Sequence, residues 1–331
     1  MVARRLNAEF AARVFVVGVA LGLPLAALIA RLADKTIELR ARVAEAGGWT
    51  PADLNIAVGQ PLHLRLISDD VLHGFAIGQS DAPSIDVPPG QAVETTLTFD
   101  RPGKYVFYCP RWCGLGHWRM RGTIEVTGTT ADSTTGQPPL YVELGLNIDA
   151  SHEAAVTPEG TPSAVRGAQL GVALPANYLT KDYYRSHSPA EAWQALRAES
   201  FSTELADDEV WDLVAFLWRS NTTPQALAET KTLYAQNCAA CHGETGAGDG
   251  IAASALKDKA HEAQTEFGHN TQAPVDFTKA KLMLGASPAL LQGKILRGGM
   301  GTGMPYWGPI FTEAQTWALV DYLWTFQFEN K

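Results

Sequence analysis

Cysteine is scarce in this chain, and the placing of the few present excludes most of what cysteine does. There are four in 331 residues, and they fall as two tight pairs, Cys109/Cys113 and Cys238/Cys241. A disulfide framework needs scattered partners, so each pair reads as a cofactor site instead. Basic runs are missing too. No Lys/Arg-rich segment occurs and the net charge is −9, which excludes nucleic acid as a partner. The apolar fraction of 46% and charged fraction of 18% belong to a globular protein rather than a disordered one. Length alone allows two or three domains.

Long uncharged stretches are equally rare. The N-terminal one covers residues 14–30, VFVVGVALGLPLAALIA, bracketed by Arg13 and Arg31. That is near the minimum for a membrane span, and the flanking arginines can snorkel to lengthen it. A cleaved signal peptide competes, because Arg4, Arg5 and Arg13 form a basic leader. No small-x-small cleavage site follows, so the reading is an uncleaved anchor with a helical extension, residues 1–47 in all. Basic residues on both flanks leave the orientation to be set by the chemistry downstream.

The densest chemistry lies in residues 108–120, YCPRWCGLGHWRM. Cys109, Cys113, His117 and Met120 bring two thiolates, an imidazole and a thioether into one short loop. These are soft ligands that suit copper, not magnesium or calcium. A blue-copper site needs one cysteine; two that can bridge point to a two-copper thiolate centre. A plain Cys109–Cys113 disulfide loop is the alternative. Around the loop, residues 52–128 show short alternating runs (LNIAV, LHLRLI, ETTLTF, KYVFY, GTIEV) separated by Gly and Pro turns, the pattern of an all-β sandwich or barrel. A Greek-key arrangement can carry the upstream loop DDVLHGF, and with it His73, to the same end of the barrel. His63 alternates within a strand and reads as a non-ligand.

Residues 55–128 resemble the cupredoxin domain of subunit II of haem-copper oxidases, through DDVLHGF, VPPGQ, RPGKYVFYC and CGLGHWRMRGTIEV. The resemblance implies a binuclear CuA centre. Cys109 and Cys113 would bridge two coppers, and His73 and His117 would each bind one. Met120 and the main-chain carbonyl of Arg111 would be weak ligands. Many family members have glutamate at the Arg111 position, where its side chain also helps hold magnesium. Arginine departs from that pattern, while a backbone ligand tolerates it. The CGLGH wording and the single N-terminal span are closer to the B-type oxidases. Sharing one electron over two bridged coppers in a rigid barrel end keeps reorganisation small, so the centre suits electron transfer and leaves no open substrate position.

From residue 223 the pattern changes to helices. Thr223-Pro224 is an N-cap followed by proline at the first helical position, and the helix leads into Cys238-Ala-Ala-Cys241-His242. C-x-x-C-H attaches haem c: two thiols form thioethers and the histidine ligates iron. The stretch LYAQNCAACHGETGAGDG resembles class I cytochromes c. Methionine is the expected sixth ligand, and Met304, before Pro305, is preferred over Met300; Met283 reads as core. His261 and His269 read as surface residues. A capping box, Thr312 to Gln315, opens the closing helix.

Between the two lies a stretch without cysteine, residues 129–222. After a Thr/Ser/Gly-rich linker, Ser188-Pro-Ala and the run from Trp211 to Trp218 recur as Ser287-Pro-Ala and Trp317 to Trp324. The reading is a degenerate, haemless cytochrome c-like domain. Residues 129–225 carry 5 basic and 13 acidic residues, a net of −8. That surface is either one that steers a basic donor or a plain solubilising one.

The whole reads as a multidomain chain: an N-terminal transmembrane helix (1–47), an all-β cupredoxin Greek-key domain (52–128), the haemless stretch (129–222) and an all-α cytochrome c domain (223–331). By resemblance it is the electron-input subunit of a terminal oxidase in the inner membrane, with soluble domains on the periplasmic or outer face. Its implied partners are a multi-span haem-copper subunit I and a soluble cytochrome c or cupredoxin donor. The same role in a nitric oxide reductase, or a membrane-tethered relay without an oxidase, are the alternatives.

Overall fold

The computed structural model describes residues 10, 13–16, 36–80, 82–114, 116–129, 138–255, 273–299 and 303–329. Most of the apolar stretch 14–30, together with His261, His269 and Met300, lies outside these residues. Among the described residues no helix is long and apolar enough to cross a membrane.

The expected helical extension before residue 47 is not a helix. β1 (Ile37–Ala41) is a strand, pairing in parallel with β4 (Leu62–Ser68) so that Leu39 faces Leu66. Leu39 and Ala41 are fully buried while Glu38 is exposed and Arg40 half-buried. That alternation has period two, which a strand satisfies and a helix does not. The barrel therefore begins at residue 37 rather than 52. Residues 44–46 form one 3-10 turn, closed by Gly47 in the left-handed region.

The runs read as strands are strands: β3 (Asp53–Ala57), β4, β7 (Ala92–Leu97), β8 (Gly103–Tyr108) and β9 (Arg121–Thr127). The structure adds β2 (Trp49–Thr50), β6 (Ile85–Val87) and β5 (His73–Ile77), so His73, read as a loop residue, opens a strand. One sheet has the order β2-β1-β4-β7 and the other β3-β9-β8-β5-β6. Leu64, Leu66, Phe75, Phe107 and Ile124 are buried between them. Each such side chain contributes about 1.5–3 kcal/mol by leaving water. Trp49 meets Phe75 and Phe107 edge-on at 5.8 and 5.9 Å, a favoured arrangement of ring quadrupoles that stiffens the barrel just beneath the cysteine loop.

The helical part comprises α1 (Leu140–Glu143), α2 (Ala164–Gln169), α3 (Lys181–Ser186), α4 (Pro189–Arg197), α5 (Asp207–Arg219), α6 (Pro224–Asn237), α7 (Ala239–His242), α8 (Ala280–Met283), α9 (Pro288–Arg297) and α10 (Glu313–Leu323). The start signals act as read. Thr223 Oγ1 accepts from Ala226 N at 3.1 Å, and Thr312 and Gln315 complete a reciprocal box at 2.9 and 3.1 Å. Ser188 and Ser287 likewise cap α4 and α9, so the repeated Ser-Pro-Ala wording is a repeated helix start.

α6 crosses α10 with Tyr234 against Tyr322 and Phe326. α2 crosses α5 in the same sense of early helix on late helix, and here the contact is closer. A Cβ on Gly167 would lie 2.1 Å from the Asp212 carbonyl oxygen. Gly167→Ala should therefore destabilise the chain by about 1–3 kcal/mol, as overpacking against backbone does. A thermal melt checks this, and an unchanged melting temperature would show the crossing to be loose.

Residues 138–222 do not pack as a domain apart from the helices that follow. Buried side chains from Ile148 to Phe328 form one continuous core. Trp218 meets Trp324, its counterpart in the sequence repeat, edge-on at 6.1 Å. Tyr184 donates to Asp321 at 2.5 Å, and burial raises the Asp321 carboxyl to about 6.

The helical part is also seated on the barrel. Gln79 N and Nε2 donate to the Ile310 and Gly308 carbonyls, each at 2.7 Å. Arg121 Nη1 donates to the Tyr306 carbonyl at 2.6 Å, and its guanidinium lies 5.2 Å from the Trp307 ring centre. A Cβ on Gly78 would lie 2.1 Å from the Pro309 carbonyl oxygen. Burial pulls Arg121 down to about 10, so this guanidinium is part of the packed seam rather than a solvated surface charge.

Candidate metal centre and haem pocket

The cysteine loop hangs between β8 and β9, whose pairing Tyr108↔Arg121 closes its neck. Cys109 N donates to the Met120 carbonyl at 3.0 Å, so the first and last donors of the loop are tied together. Gly116, at φ 80, starts the 3-10 turn that carries His117. Val43, Ala44 and Glu45 pack against Gly114 and Gly116 from outside. The turn after β1 is thus the lid of the loop.

Within it the donors converge. Cys109 Sγ and Cys113 Sγ stand 4.0 Å apart, about twice a disulfide bond length, and both are buried free thiols. The disulfide alternative does not fit that spacing. Cys109 Sγ to His73 Nδ1 is 3.9 Å and Cys113 Sγ to His117 Nδ1 is 3.6 Å, and His117 also acts on Cys109. The ligand atoms of His73, Cys109 and Cys113 all lie within 4.8 Å of one another. Cys109 Sγ also lies 3.2 Å from the Arg111 carbonyl oxygen. The Arg111 guanidinium turns away, onto Asp86 at 2.8 and 3.1 Å, so only its backbone faces the site. Met120 is fully buried. His63 instead meets Thr96 Oγ1 at 2.9 Å, away from this cluster.

Electrostatics prepare the thiols. The hydrogen bond from the Cys113 thiol is the largest influence lowering Cys109, with further help from His117, His73 and the Gly74 amide. Cys113 is raised, because its neighbour carries the charge. Ordered orientation comes from Asp70, whose Oδ1 lies 2.7 Å from His73 Nε2. Burial opposes charge on His73, but Cys109 and Asp70 outweigh it and raise its pKa. A carboxylate behind an imidazole fixes the ring and makes it a better ligand. Two thiolates flanked by two imidazoles, with a thioether and a carbonyl nearby, fit a soft bridged pair of metal ions such as copper.

The second cysteine pair sits at the junction of α6 and α7. Cys238 ends the first helix and His242 ends the second. His242 Nδ1 lies 3.2 Å from the Val275 carbonyl oxygen, and Phe277 stacks on the ring at 4.5 Å. Nδ1 committed to a carbonyl leaves Nε2 for a metal. Burial lowers His242 and so keeps it neutral, as ligation requires. Burial raises Cys238 to about 12 and raises Cys241 as well, the opposite of a reactive redox dithiol.

Cys238, Cys241, His242 and Met304 line one cavity, which fits a haem bound through both thiols and two axial ligands. The remainder of the wall includes Trp112, His117 and Trp118 from the cysteine loop, and Lys294 and Arg297 from α9. Sequence reasoning missed all of these except His117. No spacing signal links Trp112 to Cys238; only the seam between barrel and helices brings them together. Of the candidate methionines in the helical part, Met283 is core, 1% exposed, and Met304 faces the cavity.

Comparison with known proteins agrees with both halves. Residues 50–127 match the family model described as cytochrome c oxidase subunit II, periplasmic domain, and residues 227–327 match that of cytochrome c. A cytochrome c oxidase subunit 2 from Thermus thermophilus is 37% identical over 84 residues, covering 25% of this chain and 62% of that protein. An alternative cytochrome c oxidase subunit 2 from Bradyrhizobium diazoefficiens is 32% identical over 74 residues, 22% of this chain and 26% of that one. The matched stretch therefore spans less than two thirds of either relative. Among solved structures, the periplasmic domain of subunit II of cytochrome oxidase from Bradyrhizobium japonicum aligns at 21% identity and TM-score 0.25, over 28% of this chain and 84% of that one. The chain thus joins a domain of the subunit II periplasmic type to a domain of the cytochrome c type.

Proposed function

We propose that this chain is the electron-input subunit of a membrane haem-copper oxidase. His73, Cys109, Cys113, His117, Met120 and the Arg111 carbonyl would hold a binuclear copper centre. Cys238, Cys241, His242 and Met304 would hold one haem c. When bound, these groups supply one-electron transfer, from haem c to copper and onward to a separate catalytic subunit that reduces oxygen to water.

The observation that carries this reading is the shared wall. His117 presents itself to the copper loop through Nδ1, and the same residue lines the cavity of Cys238, Cys241, His242 and Met304. Electron tunnelling falls steeply with distance, so a ligand common to both environments favours direct passage between them. Trp112, 5.7 Å from the His117 ring, and Trp118 line the same wall beside it. Arg121 follows Met120 in the chain and holds Tyr306 and Trp307, which follow Met304 and Pro305. One clamp therefore keeps the copper loop and the methionine loop in register.

Cytochrome c-type haem attachment takes place outside the cytoplasm, which puts both soluble parts on the periplasmic or outer face, anchored by residues 14–30. The haemless stretch is read as a cytochrome c-like repeat that kept its Ser-capped and Trp-bearing helices and lost the C-x-x-C-H motif. In that repeat the short helix α2 stands at the crossing that α6 occupies in the haem domain.

The test is purification of the native complex containing this chain. We expect a multi-span partner, oxygen consumption driven by a reduced soluble donor, and one haem c per chain by pyridine haemochrome. Consumption of nitric oxide in place of oxygen would move the chain to a reductase, and recovery without any multi-span partner would make it a free-standing relay.

A further inference from the structure

We propose that Arg121, a half-buried cation that no carboxylate pairs among the described residues, raises the reduction potentials of the copper and haem sites together. This rests on the reading of those two sites and adds to it the residue that sets their common level.

Arg121 opens β9 directly after Met120 and lies opposite Tyr108, the last residue of β8. Its side chain crosses the seam, with Nη1 donating to the Tyr306 carbonyl at 2.6 Å and the guanidinium 5.2 Å from the Trp307 ring centre. Trp307 is buried and lines the cavity of His242 and Met304. One side chain thus starts beside a donor of the copper loop and ends against the wall of the haem pocket. Its Nη2 is hidden from solvent and has no hydrogen-bond partner among the described residues. The ionisable group that acts on the guanidinium is the Tyr108 phenol. Burial, with the Cys109 thiolate, keeps that phenol protonated against the pull of Arg121, so it supplies no counter-charge.

The other cations near the two sites are differently placed. Arg111 is forked onto Asp86, and Arg297 onto Asp149. Each fork sets opposite charges side by side, and the field of such a pair fades quickly with distance. Arg121 is not neutralised in this way, and inside a packed seam its field is weakly screened. Holding a charge there is costly, and the Trp307 face and Tyr306 carbonyl return part of that cost. Loss of an electron adds one positive charge at either site, and a fixed cation nearby opposes that loss. Standing between the two, Arg121 shifts both in the same direction. The pair then takes electrons from a donor more readily, while the step between the two sites stays nearly level.

The experiment uses the full chain with haem and copper in place and reads both midpoint potentials by spectroelectrochemistry at low and high salt. Arg121→Gln keeps a donor for Tyr306 and removes the charge, and it should lower both potentials. At a fixed ambient potential the ratio of reduced to oxidised protein should fall about tenfold at each site, which is about 59 mV for one electron. The shift should persist at high salt, because a charge packed into the seam is screened less than a surface one. Arg121→Lys keeps the charge and should hold both potentials near their native values, although an ammonium cannot reproduce the planar contact with Trp307. Gln79→Ala loosens the same seam by removing the Nε2 bond to Gly308 and should leave both potentials in place. Arg121→Met serves if the Gln variant fails to fold. Potentials unmoved in the uncharged variants overturn the proposal. So does a Lys variant that falls as far as the Gln variant, or a Gln79→Ala variant that reproduces the shift, since packing rather than charge is then the cause. A chain that takes up neither haem nor copper overturns the reading of the two sites, and this proposal with it.

Discussion

Replacing Cys113 with serine should abolish the mixed-valence two-copper signal and leave haem c untouched. The loop offers two sulfurs 4.0 Å apart, with the imidazoles of His73 and His117 beside them, and only a thiolate is soft enough to bridge two coppers there. Serine is nearly isosteric with cysteine, and position 113 is 9% exposed, so the barrel should fold around it. What remains is Cys109, His73, His117 and Met120, the donor set of a single-copper site. Electron paramagnetic resonance should therefore change from a pattern delocalised over two coppers to that of one copper, and metal analysis should show copper content at least halved. The haem ligands come from α6, α7 and the loop at Met304, so the pyridine haemochrome spectrum should match the native protein. Coupling between two coppers that survives this substitution would refute the bridging assignment.

The contrast between what was legible in the sequence and what was not follows chain separation. Cys109, Cys113, His117 and Met120 lie on one loop, and Cys238, Cys241 and His242 on one turn, so their chemistry is written in local spacing. The strands β3, β4, β7, β8 and β9 were equally plain because alternation of buried and exposed residues is also local. β1 was not, because it follows an apolar stretch and was read as its continuation. Its alternation is short, and it becomes a strand by pairing with β4, more than twenty residues away. Trp112, Trp118, Lys294 and Arg297 were invisible as site residues. Each has an ordinary local context, and they meet across the seam where Arg121 reaches Tyr306 over 185 residues of chain and Gln79 reaches Gly308 and Ile310. The same holds for the single core of the helical part. The pair Tyr184–Asp321, 137 residues apart, ties the haemless stretch to the haem domain in a way no repeat of Trp and Ser-Pro-Ala helices could foretell.

Met304→Leu should convert the haem from a low-spin His/Met form to one lacking the sulfur–iron absorption, with a markedly lower midpoint potential, because methionine opposite histidine raises it. The backbone around Met304 makes this more than a motif argument. Its carbonyl accepts from Gly299 N at 3.2 Å, folding the loop back on the end of α9. A Cβ on Gly298, at φ 68, would lie 2.5 Å from the Pro305 carbonyl oxygen, so the loop closes tightly only over glycine. Immediately beyond, Tyr306 and Trp307 are held by Arg121, and Gly308 and Ile310 by Gln79. Met304 is thus anchored on both sides and faces the cavity of His242. Leucine keeps the bulk and the apolar character, so the seam with the barrel should persist and the copper signals should be unchanged. Met300→Leu is the control and should leave the absorption as it was; loss of the sulfur–iron band in that variant, with its retention in Met304→Leu, would transfer the axial role to Met300.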